Sequence, residues 1–184
     1  VIWAFKQLYD KGLAYEGYRV LPYCWRDQTP LSNHELRMDD DVYKPRQDQS
    51  VTVTFPLHGD KAEAAGLDGV LALAWTTTPW TLPTNQALAV GPDISYALVP
   101  AGPDAAHPGA TYLLAEDTIQ NYRKELGYPE VVDALAAISR TLKGSELGGI
   151  EYERVFDYYA DRETWGLENA WQILIADYVA TGEG

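Results

Sequence analysis

Several residue types are scarce in this chain of 184 residues: one cysteine, one methionine, three histidines, and 14 Lys plus Arg against 27 Asp plus Glu. A single cysteine, Cys24, makes no internal disulfide and excludes a multi-cysteine zinc site. A reduced compartment is the simplest reading, because no disulfide framework had to be built. The shortage of positive charge, a net −13, argues against a broad basic face that grips duplex nucleic acid. It leaves room for one nucleic-acid end in a local pocket, because net charge does not describe a single site. No apolar run approaches the ~18 residues of a membrane span. The opening VIWAFKQLYDKG lacks a basic leader followed by an unbroken apolar stretch, so no signal peptide is expected. The chain does not begin with methionine, and it reads as a segment of something longer.

What is present is an ordinary globular composition, 46% apolar, 12% aromatic and 22% charged. At about 150 residues per domain, the length suits one domain, or one domain and a piece. Ile2, Phe5, Leu8 and Tyr9 have helical spacing, and Gly12 follows as a stop. That broad apolar face needs a partner surface. Residues 18–25 read as extended, with Pro22 arguing for an edge or a break. Residues 26–50 read as loop with short extended pieces.

Residues 51–57 alternate like a half-buried strand, and 69–76 form a continuous apolar run that predicts a fully buried one. Further strands are expected at 87–90, 95–99 and 111–115, with turns at 91–93 and 102–104. Residues 116–126 read as a helix, acidic at its start and basic near its end. Residues 134–143 are ambiguous between strand and helix, and 171–180 read as a last core strand. The pattern predicts a mainly β chain with peripheral helices, an α+β barrel or packed sheet rather than a doubly wound sheet.

Familiar catalytic constellations are missing. Ser145 in KGSELG lacks the leading glycine of a nucleophile elbow. There is no H-E-x-x-H, no phosphate-binding G-x-x-x-x-G-K-[ST] and no G-x-G-x-x-G. His34, His58 and His107 are scattered in loop-like sequence and read as solvated. Cys24 reads as a buried small hydrophobe. Asp39, Asp40 and Asp41 read as a solvated turn, because three adjacent carboxylates cannot all face one ion. No metal site is expected.

One segment stands apart. Residues 75–85, WTTTPWTLPTN, follow the apolar run directly. Thr76, Thr77 and Thr78 are consecutive, Thr81 and Thr84 lie close behind, and Pro79 and Pro83 punctuate the stretch. A strand ending in a rigid turn accounts for the residue types but not for the density of hydroxyls. Threonine couples a hydroxyl to a stiff, branched side chain. Several at a strand end make fixed walls that hydrogen-bond an ester, water or a ribose, and the prolines preform the pocket.

WTTTPWTLPTN resembles the threonine-rich peptide of the isoleucyl-type editing domain of class I aminoacyl-tRNA synthetases. The valyl and leucyl types resemble T-T-R-P-[ED]-T instead. Here Thr78 stands in place of that arginine and Trp80 in place of the acid. KGLAYEGYRVLPYCWRDQTPLSNHEL, residues 11–36, is similar to the stretch leading from the catalytic domain into the insertion. VTVTFPL and the 171–180 stretch also match in kind, so the likeness covers essentially the whole chain.

The resemblance implies a helical lead-in over 1–17 and a barrel-like editing domain over 18–184. It implies hydrolysis of valine wrongly joined to isoleucine tRNA, without a metal or other cofactor in this segment. The whole synthetase would use ATP with magnesium in the cytoplasm. The partners implied are the aminoacylated 3′ end of the tRNA, valine, and the rest of the synthetase, with no membrane. One methylene separates two ligands by only ~1–3 kcal/mol in an apolar pocket, a limit for which the isoleucyl enzyme is itself the usual illustration. A second, smaller pocket removes that limit.

By position, the resemblance implies that Thr77 and Thr78 place the ester and water, with Thr76 in support. Trp80 walls the substrate, and Asn85 contacts substrate or terminal adenosine; Thr77, Thr78 and Asn85 carry the catalytic expectation. The family pattern continues with a glycine-rich loop, a histidine and an acidic segment, whereas this sequence stops at ATGEG. The expectation is therefore a chain that folds most of the barrel and, by itself, edits poorly or not at all. The rival readings are a valyl- or leucyl-type editing domain, and a non-catalytic β-barrel binding module whose threonines are structural.

Overall fold

The computed structural model describes residues 1–37 and 43–181, and Asp39–Asp41 and the terminal GEG fall outside the described residues. The chain divides into two units, Val1–Gln47 and Asp48–Gly184.

In the first unit, helix α1 (Ile2–Asp10) matches the expected span, and all of its residues are exposed, the apolar face included. Strands β1 (Tyr23–Cys24) and β2 (Thr29–Pro30) form a two-stranded antiparallel ladder. So small a hairpin covers little, and Cys24 is half-buried rather than buried. Its thiol donates to an Asp27 carboxylate oxygen at 3.1 Å.

The second unit is built on one eight-stranded mixed sheet. In chain order its elements begin with β3 (Val51–His58), α2 (Asp60–Ala65), β4 (Leu71–Thr76), β5 (Ala87–Val90), β6 (Ser95–Pro100) and β7 (Thr111–Ala115). They continue with α3 (Ile119–Tyr122), α4 (Val131–Ala136), β8 (Arg140–Lys143), β9 (Glu151–Tyr152), α5 (Arg162–Trp165) and β10 (Gln172–Ile175). The strand order is β5-β10-β9-β3-β4-β7-β6-β8. The pairs β5–β10 and β4–β7 are parallel, and the others are antiparallel. The mainly β expectation with peripheral helices holds.

At β6 and β7 both faces of the sheet are covered, and strand periodicity shows how. Along β6, Tyr96 and Leu98 enter one core with Phe55, Tyr152 and Ile173, while Ala97 and Val99 enter a second with Tyr112 and Ile119. This explains the unbroken apolar runs of β6 and β7, which have no solvated side to alternate with. The two outermost strands end at one corner. There Gly144 N–H donates to the Ile94 carbonyl at 3.0 Å and Ser145 N–H to that of Pro92 at 3.1 Å. A Cβ on Gly144 would lie 2.0 Å from the Gly91 carbonyl oxygen, so only glycine permits this approach.

Three expectations need correction, and one ambiguity resolves. The run at 69–76 is not fully buried: Ala72 is in the core, but Trp75 is 37% exposed, because the far half of β4 walls open cavities. The helix expected over 116–126 shortens to a 3-10 turn at Glu116–Thr118 and α3. The ambiguous 134–143 stretch is the end of α4 followed by β8. The last strand covers only Gln172–Ile175: Trp171, at φ 60°, cannot begin an extended ladder, and residues 176–180 turn away as irregular chain. Among the described residues, no helix is long and apolar enough to cross a membrane.

Candidate functional site

The threonine segment begins where β4 ends. Thr76 is its last residue and pairs with Val51. A 3-10 helix follows over Pro79–Thr84, with Pro79 at its first position, where a missing N–H costs nothing. A 3-10 helix has 3.0 residues per turn, so side chains three apart eclipse. Thr78, Thr81 and Thr84 have that spacing and stack along one edge.

Their hydroxyls are tied down. Thr81 Oγ1 donates to the Thr78 carbonyl at 2.7 Å, and Thr84 Oγ1 to the Thr81 carbonyl at 3.0 Å. Thr78 N–H donates to Thr76 Oγ1 at 3.1 Å. Thr76 Oγ1 lies 3.3 Å from Thr78 Oγ1, which lies 3.5 Å from Thr81 Oγ1. Because the Thr81 proton is committed to a carbonyl, the consistent direction of this chain is Thr76 to Thr78 to Thr81.

The segment ends at Asn85, whose hydrogen bonds are made in several directions. Its N–H donates to the Leu82 carbonyl at 3.0 Å, closing the 3-10 helix. Its Nδ2 donates to the Ala87 carbonyl at 3.1 Å. Its Oδ1 accepts from the Tyr152 hydroxyl at 2.6 Å, and its carbonyl accepts from Trp171 Nε1 at 3.0 Å. The amide side chain keeps one lone pair and one N–H for another partner.

Thr76, Thr81, Thr84 and Asn85 form the polar side of a cavity of about 440 Å³, and Val53, Phe55, Leu82 and Leu88 form its apolar side. That volume is at the small end of ligand pockets, which run ~300–1,000 Å³. Among the described residues, no carboxylate, imidazole, ammonium or thiol lines it. The cavity can therefore hold an apolar group, fix polar atoms by hydrogen bonds and place water, and the described walls act by placement rather than as acid or base at neutral pH. Burial pushes the Tyr152 phenol well above its ordinary 10.0, so it stays a neutral donor.

Beyond Ala74, Trp75 and Ala89, which line both, lies a cleft of about 1060 Å³. It is more polar, with Ser50, Thr52, Asn121 and Glu125 on its walls.

Of the residues singled out by sequence, Thr76 and Asn85 face the small cavity. Thr78 links Thr76 to Thr81 at its rim, while Thr77 is exposed and Trp80 is 65% exposed. The candidates lie together on one strand end and one turn. The histidines are not in the cavity wall, and His58 Nδ1 instead lies 4.0 Å from a Glu151 carboxylate oxygen. Sequence reasoning missed Tyr152 and Trp171, which reach Asn85 from 67 and 86 residues away and carry no local signal. Among the described residues, no group of three or more His, Cys, Asp or Glu could hold a metal ion.

The fold of the second unit's sheet is of the kind seen in the crystal structure of GlLeuRS-CP1. That structure superposes with a TM-score of 0.50 over 74% of this chain and 50% of that one, at 13% identity, which is a likeness of fold. Residues 1–178 match the family model for tRNA synthetases class I (I, L, M and V), and the chain belongs to that family. Over its full length it is 66% identical to the isoleucine–tRNA ligase of Leifsonia xyli subsp. xyli and 57% identical to that of Tropheryma whipplei. It is 55% identical to the isoleucine–tRNA ligase of Mycobacterium tuberculosis. It spans 16–17% of the length of these relatives.

Proposed function

We propose that this chain is the editing domain of an isoleucyl-tRNA synthetase and that it hydrolyses valine wrongly esterified to isoleucine tRNA. The observation that carries the reading is the hydroxyl-rimmed small cavity at WTTTPWTLPTN, in a chain 66% identical to an isoleucine–tRNA ligase. The valyl side chain enters the apolar side of the cavity, where an extra methylene is refused by volume. The ester rests at the rim, where Thr76, Thr77 and Thr78 orient its carbonyl and the attacking water. Trp80 walls the exposed side, and Asn85 holds substrate through its remaining hydrogen-bonding capacity. Water adds to the ester carbonyl carbon, the C–O bond to the ribose breaks, and the proton that the water gives up ends on the departing ribose oxygen, leaving free valine and the ribose hydroxyl.

The catalytic contribution assigned to Thr76 and Thr78 is placement, since the direction of their hydroxyl chain commits their protons, and hydrogen bonding to the developing oxyanion is assigned to Thr77. The net charge of −13 fits a domain that receives one aminoacylated 3′ end while other parts of the synthetase supply most of the tRNA affinity. The parent enzyme would join isoleucine to tRNA with ATP and magnesium in the cytoplasm.

The commitment of the Thr81 and Thr84 hydroxyls to backbone carbonyls favours one second reading, a non-catalytic binding module whose threonines are structural. The experiment that separates them uses the full-length protein carrying this chain. Thr77→Ala and Thr78→Ala should leave aminoacylation intact and let valyl-tRNA accumulate. Unchanged clearance of valyl-tRNA in both variants contradicts editing and leaves the binding module.

A further inference from the structure

Two strands far along the chain converge on the one residue that ends the threonine turn. From β9, Tyr152 sends its hydroxyl to Asn85 Oδ1 at 2.6 Å. Beside β10, Trp171 sends its indole N–H to the Asn85 carbonyl at 3.0 Å and its backbone N–H to the Gln86 carbonyl at 2.7 Å. The ring of contacts closes where Tyr152 N–H donates to the Trp171 carbonyl at 3.0 Å.

The core alone does not need this arrangement. The Tyr152 ring is fixed edge-on against Phe55, centroids 5.2 Å apart, and a phenylalanine would fill that place equally well. The hydroxyl is an addition, and it is aimed at Asn85. Trp171 is held in the left-handed region at φ 60°, which a bulky residue adopts only where its surroundings fix it. The guanidinium groups of Arg154 and Arg162 lie 5.0 and 5.1 Å from the centre of its ring. That conformation places the indole N–H on the end of the turn.

We propose that Tyr152 and Trp171 are positioning residues for the threonine turn, acting through Asn85 to fix the hydroxyl chain Thr76–Thr78–Thr81 at the rim of the small cavity. Neither touches substrate. The inference rests on the editing reading for its catalytic readout, and it has a second readout that does not depend on that reading. The amides of Thr78, Thr81 and Asn85 are all hydrogen-bonded within the turn, so their exchange rates report how firmly it is held.

The test uses the full-length protein with Tyr152→Phe, Trp171→Phe and, as reference, Thr78→Ala. The measurements are kcat and KM for valyl-tRNA deacylation, aminoacylation as a check of the fold, and hydrogen exchange across 76–86. Both phenylalanine variants should lower the deacylation kcat about tenfold with KM within about twofold, the pattern of a misplaced reacting group. They should speed amide exchange in the turn and leave aminoacylation unchanged. If Tyr152→Phe fails to fold, Trp171→Phe carries the same expectations. A kcat unchanged in both while Thr78→Ala abolishes deacylation overturns the positioning role and spares the editing reading. If Thr78→Ala also has no effect, the editing reading falls, and exchange then decides: unchanged protection in the turn overturns positioning, and faster exchange supports it.

Discussion

The small cavity and the large cleft share the wall made by Ala74, Trp75 and Ala89, and they are built in opposite ways. The cavity of about 440 Å³ has an apolar side and a rim of threonines whose hydroxyls are committed in fixed directions. The cleft of about 1060 Å³ is larger and carries groups that titrate, Tyr96, Tyr122 and Glu125 among them. Size alone would choose the cleft. Discrimination between ligands that differ by a methylene needs a close-fitting volume with fixed walls, and that favours the cavity.

The largest effect that separates the two regions is expected at the rim. Thr78→Ala removes the link between Thr76 and Thr81 and should lower valyl-tRNA deacylation by the full-length protein about 100-fold, the scale of a misplaced reacting group. Steady-state deacylation checks it. Next comes a pair of bulky substitutions at exposed positions. Thr84→Phe narrows the cavity and should raise KM about tenfold, whereas Ser50→Phe narrows the cleft and should change it less than about twofold. Equal effects would erase the distinction between the two spaces.

A smaller effect belongs mainly to the cleft. Burial raises the phenols of Tyr96, Tyr122 and Tyr152 above their ordinary 10.0, with Glu125 adding to the rise at Tyr122. Each is favoured neutral in the folded chain. Their contribution is fully present below pH 10 and is lost as pH rises above 10 toward the raised folded values, because the unfolded chain releases those protons first. Thermal midpoints should therefore fall above pH 10, less steeply in Tyr96→Phe. The smallest effect is expected for Trp80→Ala, which should shift stability by less than ~0.5 kcal/mol, because the side chain is 65% exposed.

Local sequence showed as much of this molecule as local physics determines. Strands β3, β5, β6 and β7 were legible because alternation or a short apolar run bounded by turn residues marks an extended segment. The threonine turn was legible as a rigid wall of hydroxyls, since proline and threonine restrict the backbone and side chain on their own. Helix α2 carried readable marks, with Asp60 and Glu63 in its first turn and Gly66 left-handed at its end, but it is only six residues long. The two-residue β9, the left-handed Trp171 and the grip of both on Asn85 were not legible. Each exists only when strands distant in sequence come together. The burial of β4 was overread for a related reason, because an apolar run looks the same whether it faces a core or lines a cavity.

The central claim is that the small cavity seats the amino acid. The most direct measurement is a crystal structure of the full-length protein with a non-hydrolysable valyl-adenosine analogue. The account predicts the valyl side chain between Phe55, Leu82 and Leu88, with the ester carbonyl within hydrogen-bonding reach of the Thr76–Thr78 rim. A valyl side chain seated instead in the large cleft beside Tyr96 and Asn121 would contradict it.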